Sequence, residues 1–217
     1  MSIDLHPITV FSFVEFSGVA AGALAGALEA RRNRTYHYDL IGVLGLAVIT
    51  ALGGGIARDM LIQKGPPLAF LDARYLLAAL GCGSFALFFS PRAGRGMDRF
   101  IWWADAASLG LFSVAGVSRA LNANLTMLPA LILGLITAVG GGSLRDVFMG
   151  RSPRVFEHGE PYAIAALLAV LAFLGGESLG WERSASTAAG VLAGLILKIL
   201  SHRFRWTTST VRFRGEE

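Results

Sequence analysis

Long apolar runs alternate with short charged clusters along this chain. Runs of about 20 apolar residues, the length of helix that crosses a bilayer core, fall at Thr9–Leu28, Leu40–Ile62, Tyr75–Ser90, Phe100–Ser118, Leu125–Phe148, Tyr162–Leu179 and Ser184–Leu200. This pattern predicts seven transmembrane helices. The third run is short before Pro91 and the sixth ends in Gly175-Gly176-Glu177, so those two have the least defined ends. Linkers such as Arg31–Asp39 and Pro91–Arg99 are too short to be domains. The expectation is an all-α membrane protein with a single polytopic domain over residues 1–217.

Two of the runs carry the same interruption. Gly53-Gly54-Gly55 is followed by Arg58-Asp59, and Gly140-Gly141-Gly142 is followed at the same spacing by Arg145-Asp146. Three adjacent glycines are expected to loosen a helix, and opposite charges within an apolar span are costly to bury. The likeness extends further. Pro66 lies thirteen residues after Gly53 and Pro153 thirteen after Gly140, while EFSGVAAGALAG from Glu15 matches DAASLGLFSVAG from Asp105. Each unit holds three spans, an odd number, so the second unit inserts upside down relative to the first. The reading is two inverted three-helix repeats, about 9–90 and 100–180, with kinked second and fifth helices. A seventh helix at about 184–201 and a basic tail at 202–217 follow. Arg58-Asp59 then lie toward the outer face and Arg145-Asp146 toward the inner one.

Composition agrees with a membrane bundle: 54% of the residues are hydrophobic and 16% charged, against about 25% charged in soluble domains. Seven crossings place Lys64, Arg74, Arg119 and Arg183 on one side and thirteen basic residues on the other, with Arg58 and Arg145 inside the spans. That bias sets the amino terminus outside and the carboxyl tail in the cytoplasm, in the cell (inner) membrane. Met1–Pro7 carry no Lys or Arg, which argues against a cleavable signal. The net charge of +4 then reads as topology and attraction to anionic lipid, with no nucleic-acid partner. The lone Cys82 excludes an internal disulfide or a CxxC metal site. His6, His37, His158 and His202 lack ligand spacing, and no phosphate loop or nucleophile elbow accompanies them. An enzyme and a bound cofactor or resident metal are not expected.

Each candidate residue has a packing reading beside a functional one. The six glycines of the triplets either let backbones approach or form a pore bend whose carbonyls meet a cation. Arg58, Asp59, Arg145 and Asp146 either staple helix ends, within a pair or across repeats as Arg58 with Asp146, or line and gate a pore. Glu15 and Asp105 need water, a cation or an arginine as partner. Thr50, Ser113 and Ser143 either offer hydroxyl oxygens to a cation or bond their own helix. Gly18, Gly22, Gly26, Gly190 and Gly194 read as packing, and Trp102-Trp103 with Phe88-Phe89 as interfacial anchors.

Through the two acidic first spans, the two GGG-x-x-R-D segments, the prolines after them and the seventh span, the sequence resembles the prokaryotic members of the trimeric intracellular cation (TRIC) channel family. That family also takes in bacterial glycine-transporter-domain proteins. The resemblance implies a homotrimer with one cation pore per subunit, bounded by the second and fifth spans bent at their glycines, with potassium as the permeating ion and sodium as a second. The alternative is a secondary transporter of a small amino acid such as glycine, because inverted repeats with paired broken helices also build carrier sites.

Overall fold

An apolar run without water around it must close its own backbone hydrogen bonds, which a helix does. In the computed structural model, which describes residues 10–33, 35–89 and 94–209, the runs form α1 (Val10–Arg32), α2 (Leu40–Ile62), α4 (Ala73–Phe89), α5 (Arg95–Asn122), α6 (Met127–Phe148), α7 (Tyr162–Ser178) and α8 (Arg183–Phe204). A four-residue helix, α3 (Leu68–Leu71), follows the two prolines after α2 and was not expected from hydropathy. No strand occurs among the described residues. Five helices, α1, α2, α5, α6 and α8, are long and apolar enough to cross a membrane, and α4 and α7 are shorter apolar helices. Helices α1 and α5 run beyond their apolar segments into charged residues such as Arg31, Arg32, Arg95 and Arg99, whose long side chains carry the charge outward while the backbone stays helical. Thr9, Arg34, Ser90, Arg92, Arg212, Arg214, His6 and the Phe89 side chain lie outside the described residues.

The expectation that the glycine triplets interrupt their helices is corrected. Helices α2 and α6 run unbroken through both triplets. What the missing side chains permit is contact between the two helices. A Cβ on Gly54 would collide with the Thr137 carbonyl, and one on Gly141 with the Thr50 carbonyl; one on Gly140 would stand 3.1 Å from the Gly54 Cα. Packing against a neighbouring backbone thus holds the glycines helical, as in other small-residue crossings in membranes.

The same contacts fix direction. Going up α2 from Thr50 to Gly54 corresponds to going down α6 from Gly141 to Thr137, so the helices cross antiparallel. The Arg58 end of α2 and the Arg145 end of α6 therefore point to opposite ends of the bundle, as inverted repeats require.

Around this crossing each unit has its own core. One apolar cluster includes Val19, Ala23, Ala27, Val43, Ala47, Ala51 and Ala79 from α1, α2 and α4. The second unit is filled by Val114, Val117, Leu133, Val170 and Phe173, with Leu109, Ala138 and Ala165 alongside. Gly22 and Gly26 bring α1 against Ala51, Thr50 and Leu46 of α2, while Gly190 and Gly194 seat α8 on Ala169 and Ala165 of α7. Helix α8 packs on α7 and α5.

Gly141→Ala is expected to lower thermal stability in detergent by about 1–3 kcal/mol, the cost of overpacking, since its methyl meets a backbone carbonyl. Gly45, with open space at its Cβ position, supplies the control: Gly45→Ala should be neutral or stabilising. Equal melting temperatures for both variants would contradict the close crossing.

Candidate functional site

At one end of the crossing, three helices meet at a buried arginine. Arg58, one turn before the end of α2, is almost wholly enclosed. Its Nη1 lies 2.9 Å from Glu15 Oε1 of α1 and its Nε 2.9 Å from Asp59 Oδ1. Tyr75, at the start of α4, donates its hydroxyl to Glu15 Oε2 at 2.5 Å. The other oxygen of Asp59 accepts from the backbone N–H of Leu68 at 2.9 Å and so holds the start of α3. Arg119 of α5 stands 3.8 Å from Asp59. The guanidinium and two carboxylates pair with one another directly.

The opposite end repeats the arrangement with a looser fit. Arg145, 1% exposed, bonds Asp146 Oδ1 at 3.0 Å but stands 3.6 Å from Asp105 Oδ1. Tyr162 reaches Asp105 at 3.5 Å. The cause is one methylene: aspartate stands where the first unit has glutamate. Asp146 also accepts from Arg151 Nη2 at 2.9 Å and from the Arg154 backbone N–H at 3.4 Å. Arg154 continues to Glu29, a buried carboxylate near the end of α1 that also pairs with Arg32 at 3.3 Å. The Arg58–Glu15 and Arg145–Asp105 pairs form within each unit, Arg119–Asp59 and Arg154–Glu29 cross between units, and Arg58 does not pair with Asp146.

Each junction borders a small cavity. The first, of about 30 Å³, is lined by Glu15, Gly55, Arg58, Asp59, Tyr75 and Thr137 among others. The second, of about 10 Å³, is lined by Gly142, Ser143, Arg145, Asp146, Arg154 and Tyr162. Roughly 10–15 Å³ admits one water, so the first has room for a water or two and the second is at the limit. The glycine crossing lies between them. Thr50 and Ser113 line neither cavity: their hydroxyls donate to Leu46 O at 2.6 Å and Leu109 O at 2.8 Å. Ser143 lines the second. No cluster of three or more His, Cys, Asp or Glu side chains suited to a metal occurs among the described residues.

Sequence reasoning missed Tyr75, Tyr162, Thr137, Glu29 and Arg154. For the first three a signal existed. Tyr75 and Tyr162, like Thr50 and Thr137, are separated by the same offset as Arg58 and Arg145. Another missed group joins Glu160 to Lys198, His202 and Trp102 at the second end. Burial would raise the Glu160 carboxyl, yet the Lys198 ammonium, with hydrogen bonds from His202, Lys198 and Trp102, holds it below the usual range. Its contribution to stability is therefore present above about pH 4.5 and lost as pH falls through the lower folded value.

A helical bundle with apolar outer faces and buried charge gathered in ion-paired groups is a polytopic membrane protein. The glycine transporter family model matches residues 12–91 and 102–177. A UPF0126 membrane protein of Deinococcus radiodurans is 34% identical over 207 residues, covering 92% of this chain and 91% of that protein. The UPF0126 inner membrane protein YadS of Escherichia coli (strain K12) is 34% identical over 156 residues, 72% of this chain and 73% of that one. The crystal structure of a TRIC trimeric intracellular cation channel orthologue from Rhodobacter sphaeroides superposes with a TM-score of 0.84 at 32% identity, covering 91% of this chain and all of that one. The chain belongs to this family of prokaryotic TRIC-like membrane proteins. Its relatives are channels and membrane proteins, not enzymes.

Arg58→Met strands two buried carboxylates and is expected to cost about 3–5 kcal/mol, whereas Glu15→Gln retains an acceptor and should cost less. Combining Arg58→Met with Glu15→Gln and Asp59→Asn should recover part of the loss in thermal melts. A triple variant less stable than Arg58→Met alone would refute the junction as a charge-balanced unit.

Proposed function

We propose that the protein is a cation channel, a homotrimer with one pore per subunit, conducting potassium, with sodium as a second permeating ion. The observation that carries this reading is the pair of like junctions at opposite ends of one antiparallel glycine crossing, each with carboxylates beside a small cavity. Glu15 and Asp105 draw cations toward the two mouths, while Arg58 and Arg145 neutralise them in the closed state. Asp59 and Asp146 tie the loops that follow α2 and α6. The six triplet glycines form the gate: separating α2 from α6 frees backbone carbonyls such as those of Thr50 and Thr137 to meet a dehydrating ion, with Ser143 near the inner mouth. Ser113 supports the wall through α5. The likeness to a TRIC channel orthologue over most of the chain supports conduction and trimer formation.

In this reading α4 and α7 also cross the bilayer, giving seven spans in one domain with repeats at about 9–90 and 100–180. The amino terminus is outside and the basic end in the cytoplasm, where it meets anionic lipid. The inner membrane is the assigned site, in keeping with the inner membrane protein of Escherichia coli. A second reading, a carrier for a small amino acid such as glycine, is favoured by the description of the matching family model.

Purified protein in a planar bilayer should give unitary potassium currents without added substrate. Absence of such currents together with uphill uptake of labelled glycine into proteoliposomes would select the carrier. Topology is read separately. With Cys82→Ala as background, Gly65→Cys should react with an impermeant thiol reagent from outside and Ser152→Cys from the cytoplasmic side; labelling of both from one side would sink the inverted arrangement.

A further inference from the structure

The two junction tyrosines are held in different ways. Tyr75 stacks on Phe16, with ring centroids 4.5 Å apart, and Arg74 lies over that phenylalanine at 5.8 Å. None of these supports changes charge near neutral pH. Tyr162 instead has the Lys198 ammonium 4.7 Å from its ring centroid. Lys198 comes from α8, the helix with no counterpart in the first unit.

An ammonium only 3% exposed requires a counter-charge. Glu160 supplies it, with Oε2 2.9 Å from Lys198 Nζ. Glu160 is in turn tied to Tyr162, whose backbone N–H donates to the Glu160 carbonyl at 2.7 Å. Its other oxygen lies 2.8 Å from His202 Nδ1, and the His202 ring packs 4.6 Å from that of Trp102. Trp102 Nε1 donates to the same carboxylate at 3.2 Å. Beyond α8, the Thr208 N–H donates to Gly159 O at 2.9 Å, which fastens the tail to the loop carrying Glu160.

We propose that Lys198, Glu160 and His202 form a proton-sensitive latch that positions Tyr162, so that the inner junction answers to pH on its own side of the membrane while the outer junction does not. This rests on the channel reading for its electrical readout. The His202 side chain is 60% exposed and takes its proton from water. The cavity it lines also receives Glu29 and Arg32 from α1 and Arg95, Asp98 and Arg99 from α5. Arg151 and Arg154 from the loop after α6, and Arg203 from α8, complete the charged groups facing it. Arginines stay charged throughout and carboxylates are ionised at neutral pH, so histidine is the one residue type in this set suited to a proton-sensitive role near neutrality. A protonated His202 adds a positive charge beside Glu160 and tightens the latch; a neutral one loosens it, releasing Tyr162 from Asp105.

Lowering pH from 8 to 6 on one side of the bilayer should reduce the open-to-closed ratio about two- to fivefold, the effect an exposed charge pair supplies; the same change on the other side should leave it unaltered. His202→Asn should abolish that response and His158→Asn, on the loop that carries Glu160, should retain it. Lys198→Met should raise the open fraction at pH 6, and Lys198→Arg should restore it. A one-sided response that survives in His202→Asn overturns the proposal, as does an equal response from both sides. If no unitary current is seen at all, the channel reading fails independently, and the latch is read from tryptophan fluorescence. Intensity should then change between pH 8 and 6 in the unsubstituted protein and not in His202→Asn or Trp102→Phe; persistence in His202→Asn refutes it.

Discussion

An arginine that cannot lose its proton, placed where water is scarce, is the constraint from which the rest of this architecture follows. Arg58 and Arg145 are buried near the ends of two apolar helices, and a guanidinium there is tolerated only when carboxylates surround it. The local Asp59 or Asp146 supplies one partner. The second must come from another helix, which draws α1 to α2 through Glu15 and α5 to α6 through Asp105. The tyrosines at the starts of α4 and α7 close each group. Three helices are thus gathered around each charge, and the spare oxygens of Asp59 and Asp146 fix the connecting segments.

Much of this was legible in the sequence, for physical reasons. A helix that must span a bilayer announces itself by length and apolarity, so α2 has the ends its hydropathy predicts. The GGG and RD spacing identified both junctions because charge within an apolar run is rare. The state of the glycines was not legible, since helix propensities measured in water do not include a neighbouring backbone that fills the space of a missing side chain. Nor was the partner of Arg58, because Glu15 and Asp146 were equally available by charge and only the packing of α1 on α2 decides between them. His202 and Glu160 carry no periodic signal; a loop and the end of α8 bring them together.

The units have diverged where it affects fit. Glu15 spans the gap to Arg58 that Asp105 leaves open before Arg145. The second junction is embedded among further arginines, Arg151, Arg154 and Arg32, which share Glu29 and Asp146. A single charge-balanced plan therefore has a tight version at one end of the crossing and a looser, more basic one at the other.

The reciprocal seating of Gly54 on the Thr137 carbonyl and Gly141 on the Thr50 carbonyl also determines which movements the crossing allows. Sliding either helix along its axis drives a neighbouring side chain, such as Leu144 beside Gly53, into the opposing backbone. Parting the two helices at the crossing needs no such passage of side chain over backbone, because glycines and carbonyls face each other there. A crossing built this way resists axial slip and leaves lateral parting as its less obstructed movement.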